Sequence, residues 1–116
     1  MRLIGSKLEQ DYREELKASR AFHFSANSQS RLKEVLQSAG YSVGNAFVLH
    51  CTPDQSEDFY TVLIEGAFLA AVRIDRSDAG DTPSIKRYEL RDYLRGLSRV
   101  YQVQLLVAQD LVKAIS

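Results

Sequence analysis

Residues 46 to 75 break the helical period that runs on either side of them. "AFVLHC", "FYTVLIE" and "AFLAAVRID" are runs of strand length rich in β-branched and aromatic residues. The segment "TPDQSE", with Pro53 and Asp54 as turn formers, separates the first two runs, and Glu65-Gly66 separates the second and third. A two-residue loop at Glu65-Gly66 pairs Ile64 with Ala67 and Leu63 with Phe68. One face of that hairpin then carries Phe59, Thr61, Leu63, Phe68, Ala70 and Val72, and the other carries Tyr60, Val62, Ile64, Ala67, Leu69 and Ala71. Both faces are apolar, whereas an antiparallel sheet with one wet face alternates with polar residues. The pattern therefore demands cover on both sides, either helices on each or a second copy of the chain on one.

The flanking segments read as helices. In "SKLEQDYREELKASRAF", Ser6 and Glu9 have capping-box spacing, Leu8, Tyr12 and Leu16 form one narrow stripe, and Glu9 to Arg13 is a favourable i,i+4 pair. In "ANSQSRLKEVLQSAGY", Asn27 or Ser28 caps the start, Leu32, Val35, Leu36 and Ala39 form the apolar side, and Gly40 stands at the left-handed C-terminal cap. These two helices are expected to make an antiparallel hairpin around "FHFS". After a polar loop at 76–84, "IKRYEL" reads as a fourth strand with Tyr88 and Leu90 inward. "SRVYQVQLLVAQDLVKAI" reads as a long helix capped by Ser98, with Val100, Val103, Val107, Leu111 and Ala114 on its apolar side. The intervening "RDYLRGL" either continues the strand or opens that helix early, at a cost of about 1 kcal/mol for Gly96 in its interior. The predicted fold is one α+β domain over 1–116, an antiparallel sheet of about four strands with an N-terminal helical hairpin and a C-terminal helix.

Composition narrows the function classes. A chain of 116 residues buries enough surface to fold without a disulfide or metal. Its 15 basic and 15 acidic residues balance, which argues against a general polyanion binder, because phosphate contacts need excess Lys and Arg. A single cysteine points to a reducing compartment. The start turns charged after four residues, too soon for a secretory leader, and no apolar run approaches a membrane span. The expectation is a cytoplasmic, bacterial protein with no membrane association.

One stretch looks chemical. "HCTPDQSEDFY" places His50, the only cysteine and three acids within eleven residues. His50 and Cys51 are neighbours on a predicted strand, so they point to opposite faces and form no nucleophile pair. Alternation puts Cys51 on the face of Phe47 and Leu49, as a buried small hydrophobe. His23, His50, Cys51 and the nearby carboxylates match no zinc spacing, so no metal is expected. Asp54, Glu57 and Asp58 occupy a six-residue turn open to water, which suits recognition better than a buried carboxylate pair of the glycosidase kind. The glycines form no phosphate-cradling loop, and G-x-S-x-G, H-E-x-x-H and C-x-x-C are absent. No catalytic residue and no cofactor is assigned.

Charge is segregated. Residues 54 to 81 hold seven acids against two arginines, a difference of −5, and residues 82 to 99 hold five bases against two acids, a difference of +3. Tyr88, Tyr93 and Tyr101 interleave with the basic run, and Arg91, Arg95 and Arg99 line one edge if 91–99 is helical. Arginine with tyrosine is a common make-up of protein contact sites. The function expected first is a non-enzymatic binding or regulatory module that acts through protein contact, as a homodimer through the central hairpin or the C-terminal helix. Its contacts would be Asp54, Glu57 and Asp58 in the loop and Tyr88, Arg91, Tyr93 and Arg95 on the basic edge. Many bacterial immunity and antitoxin proteins share this size and mixture, an analogy of class that fixes no function. The alternative is a small enzyme or ligand-binding domain with a pocket near His50, joined by Tyr60 or a neighbouring acid. A nucleic-acid accessory role through Arg87, Arg91, Arg95 and Arg99 comes last.

Overall fold

The computed structural model describes residues 7–25, 28, 30–77 and 82–115. The expected capping box at Ser6, the cap at Asn27 and the acids Asp78 and Asp81 lie outside them. The elements are α1 (Lys7–Phe24), α2 (Arg31–Ser38), β1 (Phe47–Asp54), β2 (Glu57–Ile64), β3 (Phe68–Asp75), β4 (Ser84–Glu89), α3 (Leu90–Leu94) and α4 (Arg99–Ile115). The strands form one antiparallel meander in the order β1-β2-β3-β4, so the α+β class and the four-stranded sheet are as predicted. Among the described residues, no helix is long and apolar enough to cross a membrane.

Both faces of the central hairpin are met by helices, as its doubly apolar pattern demands. On one face Leu16 of α1 and Leu105, Ala108 and Leu111 of α4 bury Phe47, Leu63 and Leu69. On the other, Leu32 and Leu36 of α2 with Phe24 at the end of α1 bury Val48, Val62, Ile64, Ala70 and Val72. The two N-terminal helices are consecutive, but they divide between the faces instead of lying side by side. The body of α1 pairs with α4, where Arg13 reaches Asp110 at 3.0 Å.

Three local expectations are corrected. At Glu65-Gly66 the Ala67 N–H closes the turn onto the Ile64 carbonyl at 3.0 Å, yet Ala67 drops out of the ladder. Phe68 therefore stands opposite Ile64 and Leu69 opposite Leu63, one residue from the predicted register. That slip moves Phe68, Ala70 and Val72 to the α2 side and Leu69 and Ala71 to the α1/α4 side. The six-residue turn is a tight one: Asp54 pairs with Glu57 in the ladder, and only Gln55 and Ser56 lie between the strands. Third, β1 carries a bulge, because Val48 pairs with Val62 while His50 pairs with Thr61, leaving Leu49 extra.

The bulge resets which side chain faces where. Leu49 and His50 both serve the α1/α4 face, and Cys51 opposite Tyr60 turns to the other one. The expectation that Cys51 is buried beside Phe47 and Leu49 fails for this reason: it is exposed. Gln104, buried on α4, donates its Nε2 hydrogen to the Leu49 carbonyl at 2.7 Å, satisfying a group that the broken ladder leaves over.

The C-terminal part is two helices. Gly96, with φ +74°, ends the short α3, and Ser98 Oγ accepts the Tyr101 N–H at 3.4 Å at the start of α4. The buried side of α4 is Gln104, Leu105, Val107, Ala108, Leu111 and Val112, rotated from the predicted stripe, so Val100 and Ala114 face outward.

Candidate functional site

The helices α1 and α4 cover only half of their sheet face. Cross-strand rows on that face run His50–Thr61–Ala71–Lys86 and Phe59–Arg73–Ser84. Nearer the helices the row Leu63–Leu69 is fully buried. Farther out, Phe59 is 41% exposed and Tyr88 40%, both large for an aromatic on a sheet face. The result is an open groove. Two adjoining hollows of about 290 and 270 Å³ share Thr61, Ala71 and Tyr88; the first adds Phe59, Arg73 and Lys86, and the second adds Leu69, Asp92 and Tyr93.

Each wall has a local cause. β4 is the last strand and its residues are exposed except Ile85, so Tyr88 has no helix above it. Lys86 Nζ lies 5.3 Å from the centre of the Tyr88 ring, a cation–π contact that keeps a positive charge at the aromatic surface. Arg73 is held by Glu57 at 2.7 Å, which neutralises it and fixes it as a wall of the groove. The short helix α3 swings Tyr93 back over the sheet, where it packs with the α1/α4 core.

At the inner end of the groove stands His50. Its Nε2 is 3.0 Å from the Tyr93 hydroxyl, and its ring meets Tyr101 edge-on at 4.7 Å. Partial burial lowers the His50 pKa, against a smaller opposing pull from the Glu15 carboxylate. Burial, followed by Tyr101, pushes the Tyr93 hydroxyl up, and burial, Tyr101 and Glu15 do the same to Tyr12. Residues from α1, β1, α3 and α4 thus converge on one imidazole. A histidine–tyrosine pair can pass a proton, but these two satisfy each other. Among the described residues no cluster of three metal-ligating side chains forms.

The residues expected to work together are in several places. Tyr88 and Tyr93 share the groove. Arg91 and Arg95 are exposed outside it, and Arg95 stands 3.7 Å from Asp92. The break at Gly96 assigns Arg99 to a different helix, so no continuous arginine edge runs from 91 to 99. The acidic loop is largely spoken for. Glu57 binds Arg73, Asp58 lies 3.4 Å from Arg76, and the Arg76 guanidinium also donates to the carbonyl oxygens of Gln55 and Ser56. Asp54 remains exposed.

His50 and Tyr60 are on opposite faces and cannot serve one site. Tyr60 packs against His23, ring centres 5.6 Å apart, and burial with neighbouring Cys51 and Asp58 pushes its hydroxyl up to about 12. Sequence reasoning missed Phe59, Thr61, Ala71 and Lys86 as one surface, and Glu15 and Tyr101 as neighbours of His50. The usable signal was the change from Leu63–Leu69 to Phe59–Arg73–Ser84 along one face, which emerges only in the true register. Comparison with family models, with curated proteins and with solved structures finds no match to this chain.

Proposed function

We propose that this chain is a non-enzymatic protein-binding module that holds a partner polypeptide against the open half of its sheet. The observation that carries this reading is the uncovered surface of Phe59, Thr61, Ala71 and Tyr88 on a face whose other half α1 and α4 bury. Exposed aromatics with a cation beside them are the chemistry of contact hot spots. The groove is shallow and open along its length, a form that suits a chain laid across it better than an enclosed small molecule. We place its work in the cytoplasm of a bacterial cell, where a lone exposed thiol such as Cys51 stays reduced.

Helices meet both faces of the hairpin and α4 turns its apolar side inward, which leaves only the Phe59–Thr61–Ala71 half of one face for a partner of any kind, a second copy included. The reading takes one copy as the binding unit. A photo-crosslinking residue at position 59 or 88, expressed in cells of the source organism, tests it. Both positions should capture the same polypeptide, and position 22, where Phe22 is 73% exposed on α1, should not. Equal labelling from position 22, or no adduct from 59 and 88, defeats the reading.

One observation favours a second reading, a ligand-binding or catalytic domain. The His50–Tyr93 pair adjoins the 270 Å³ hollow, and a small ligand there would meet the Tyr93 hydroxyl and the Thr61 side chain. It ranks second because few polar groups converge on that hollow. The nucleic-acid reading loses its ground with the interrupted arginine edge.

A further inference from the structure

The two edges of the sheet are built differently. The β1 edge has a bulge at Leu49, and Pro53 has no N–H to offer, two devices that discourage an added strand. β4 has neither. It contains no proline, and its register against β3 runs unbroken from Phe68↔Glu89 to Arg73↔Ser84. Among the described residues no other strand pairs with it, so its outer row of N–H and C=O groups faces outward as a template.

Hollows flank that edge on both faces. On the α2 side a hollow of about 420 Å³ is lined by Val35, Ala39, Pro83 and Ile85, with Arg31 and Glu34 at its rim. On the other side Lys86 and Tyr88 line the groove already described. Successive residues of a strand point to opposite faces, so a segment added to β4 would send alternate side chains into the two hollows.

We propose that β4 is an acceptor edge for an extended segment of the partner protein that reads apolar–acid–acid–apolar opposite Ile85, Lys86, Arg87 and Tyr88. The proposal rests on the protein-binding reading above and names how the partner docks. The acids face Lys86 and Arg87, the second of them displacing the exposed Glu89 carboxylate that stands 3.4 Å from the Arg87 guanidinium, and the apolar residues meet Ile85 and the Tyr88 ring. The pattern is the same in either chain direction, so parallel and antiparallel addition are both served.

A second copy of this chain is the wrong occupant. Two β4 strands related by a twofold axis must place residues of the same face opposite one another. Centred on Lys86, that pairing sets Ser84 against Tyr88, Ile85 against Arg87 and Lys86 against its own copy. Centred on Arg87, it sets Arg87 against its own copy. Centred on Ile85 or Tyr88, only three residues of each β4 overlap. Every longer overlap thus puts like charges on the axis, which destabilises it.

The test titrates the isotope-labelled full chain with the blocked hexapeptide Thr-Val-Glu-Asp-Phe-Thr and reads backbone amide shifts. Saturable shifts centred on 84–89 are expected. The double reversal Lys86→Glu with Arg87→Glu, at exposed positions where folding is checked by the same spectrum, should weaken binding about tenfold. N-methylating alternate peptide residues should abolish binding in one phase and spare it in the other. Strand addition is overturned by shifts centred on α1 and α4, by equal binding of the peptide with lysines in place of its acids, by indifference to N-methylation in both phases, by no saturable shift, or by dimerisation of the free chain through β4. Crosslinks from positions 59 and 88 with a failed peptide leave the face standing and remove the strand mode. Peptide binding without those crosslinks places the failure in the protein-binding reading instead.

Discussion

Gln104 Nε2 donates to the Leu49 carbonyl at 2.7 Å, from inside α4 to the bulge of β1. The bulge is the pivot of the candidate site, because it carries His50 to the α1/α4 face and Cys51 to the other. A buried carbonyl without its donor costs about 1–3 kcal/mol. Gln104→Leu orphans that carbonyl but also removes Gln104 Oε1, itself buried without a partner among the described residues, so the net loss of stability in urea unfolding should be about 1 kcal/mol. An unchanged midpoint would show that water reaches Leu49 when the amide is gone.

The histidines make stability pH-dependent. Burial lowers the pKa of both His50 and His23 below the ordinary 6.5. In the unfolded chain they take up protons near that ordinary value, whereas the folded chain resists. Stability is thus fully present above about 6.5 and is lost as pH falls from there through the folded values. Urea unfolding at pH 7.5 and pH 5.5 should show this loss, and His50→Gln and His23→Gln should each remove part of it. A flat pH profile in the native chain contradicts the assigned burial.

Two glycines with positive φ differ in their surroundings. Gly66 has φ +67° and a Cβ there would lie 3.2 Å from Val112 Cγ1, whereas Gly96 has φ +74° and open space. Gly96→Ala should cost about 1 kcal/mol for backbone strain alone, and Gly66→Ala more, since α4 must also give way. Thermal unfolding of the two variants should rank them in that order.

Gln55 offers the reverse case. It holds φ +55° at the first position of the two-residue loop between β1 and β2, a left-handed conformation that glycine adopts without steric cost. Gln55→Gly should stabilise the chain by about 0.5–1 kcal/mol, the strain of a non-glycine residue there being released. A loss of stability on denaturant titration would mean that the side chain contributes more than the strain costs.

Cys51 is exposed, yet partial burial of its thiol and the Asp58 carboxylate raise its pKa, while Tyr60 and Arg76 pull the other way. Less thiolate is then present at pH 8, and iodoacetamide should alkylate native Cys51 more slowly than the same residue in urea. Asp58→Asn should speed the native reaction.

Much of this fold follows from period and punctuation along the chain. The helical stretches, the β-rich runs, the left-handed cap at Gly40 with φ +89° and the Ser98 cap are local matters, settled by residues within a turn of one another. The doubly apolar hairpin also foretold cover on both faces, and of the two forms that cover could take, helices or a second copy, helices meet each face. That same feature hid the register. With either face apolar, a slip of one residue leaves the hydrophobic pattern unchanged, so alternation could not choose between Ala67 and Phe68 as the partner of Ile64. Packing made the choice, seating Phe68 beside Tyr41 and Leu69 in the α1/α4 core. The bulge at Leu49 and the groove above Ala71 depend in turn on where α4 lies, and its position is set by contacts between residues far apart in the chain. Local preference shaped the elements; only long-range burial could decide which side chains they turn toward each other and which half of a face they leave open.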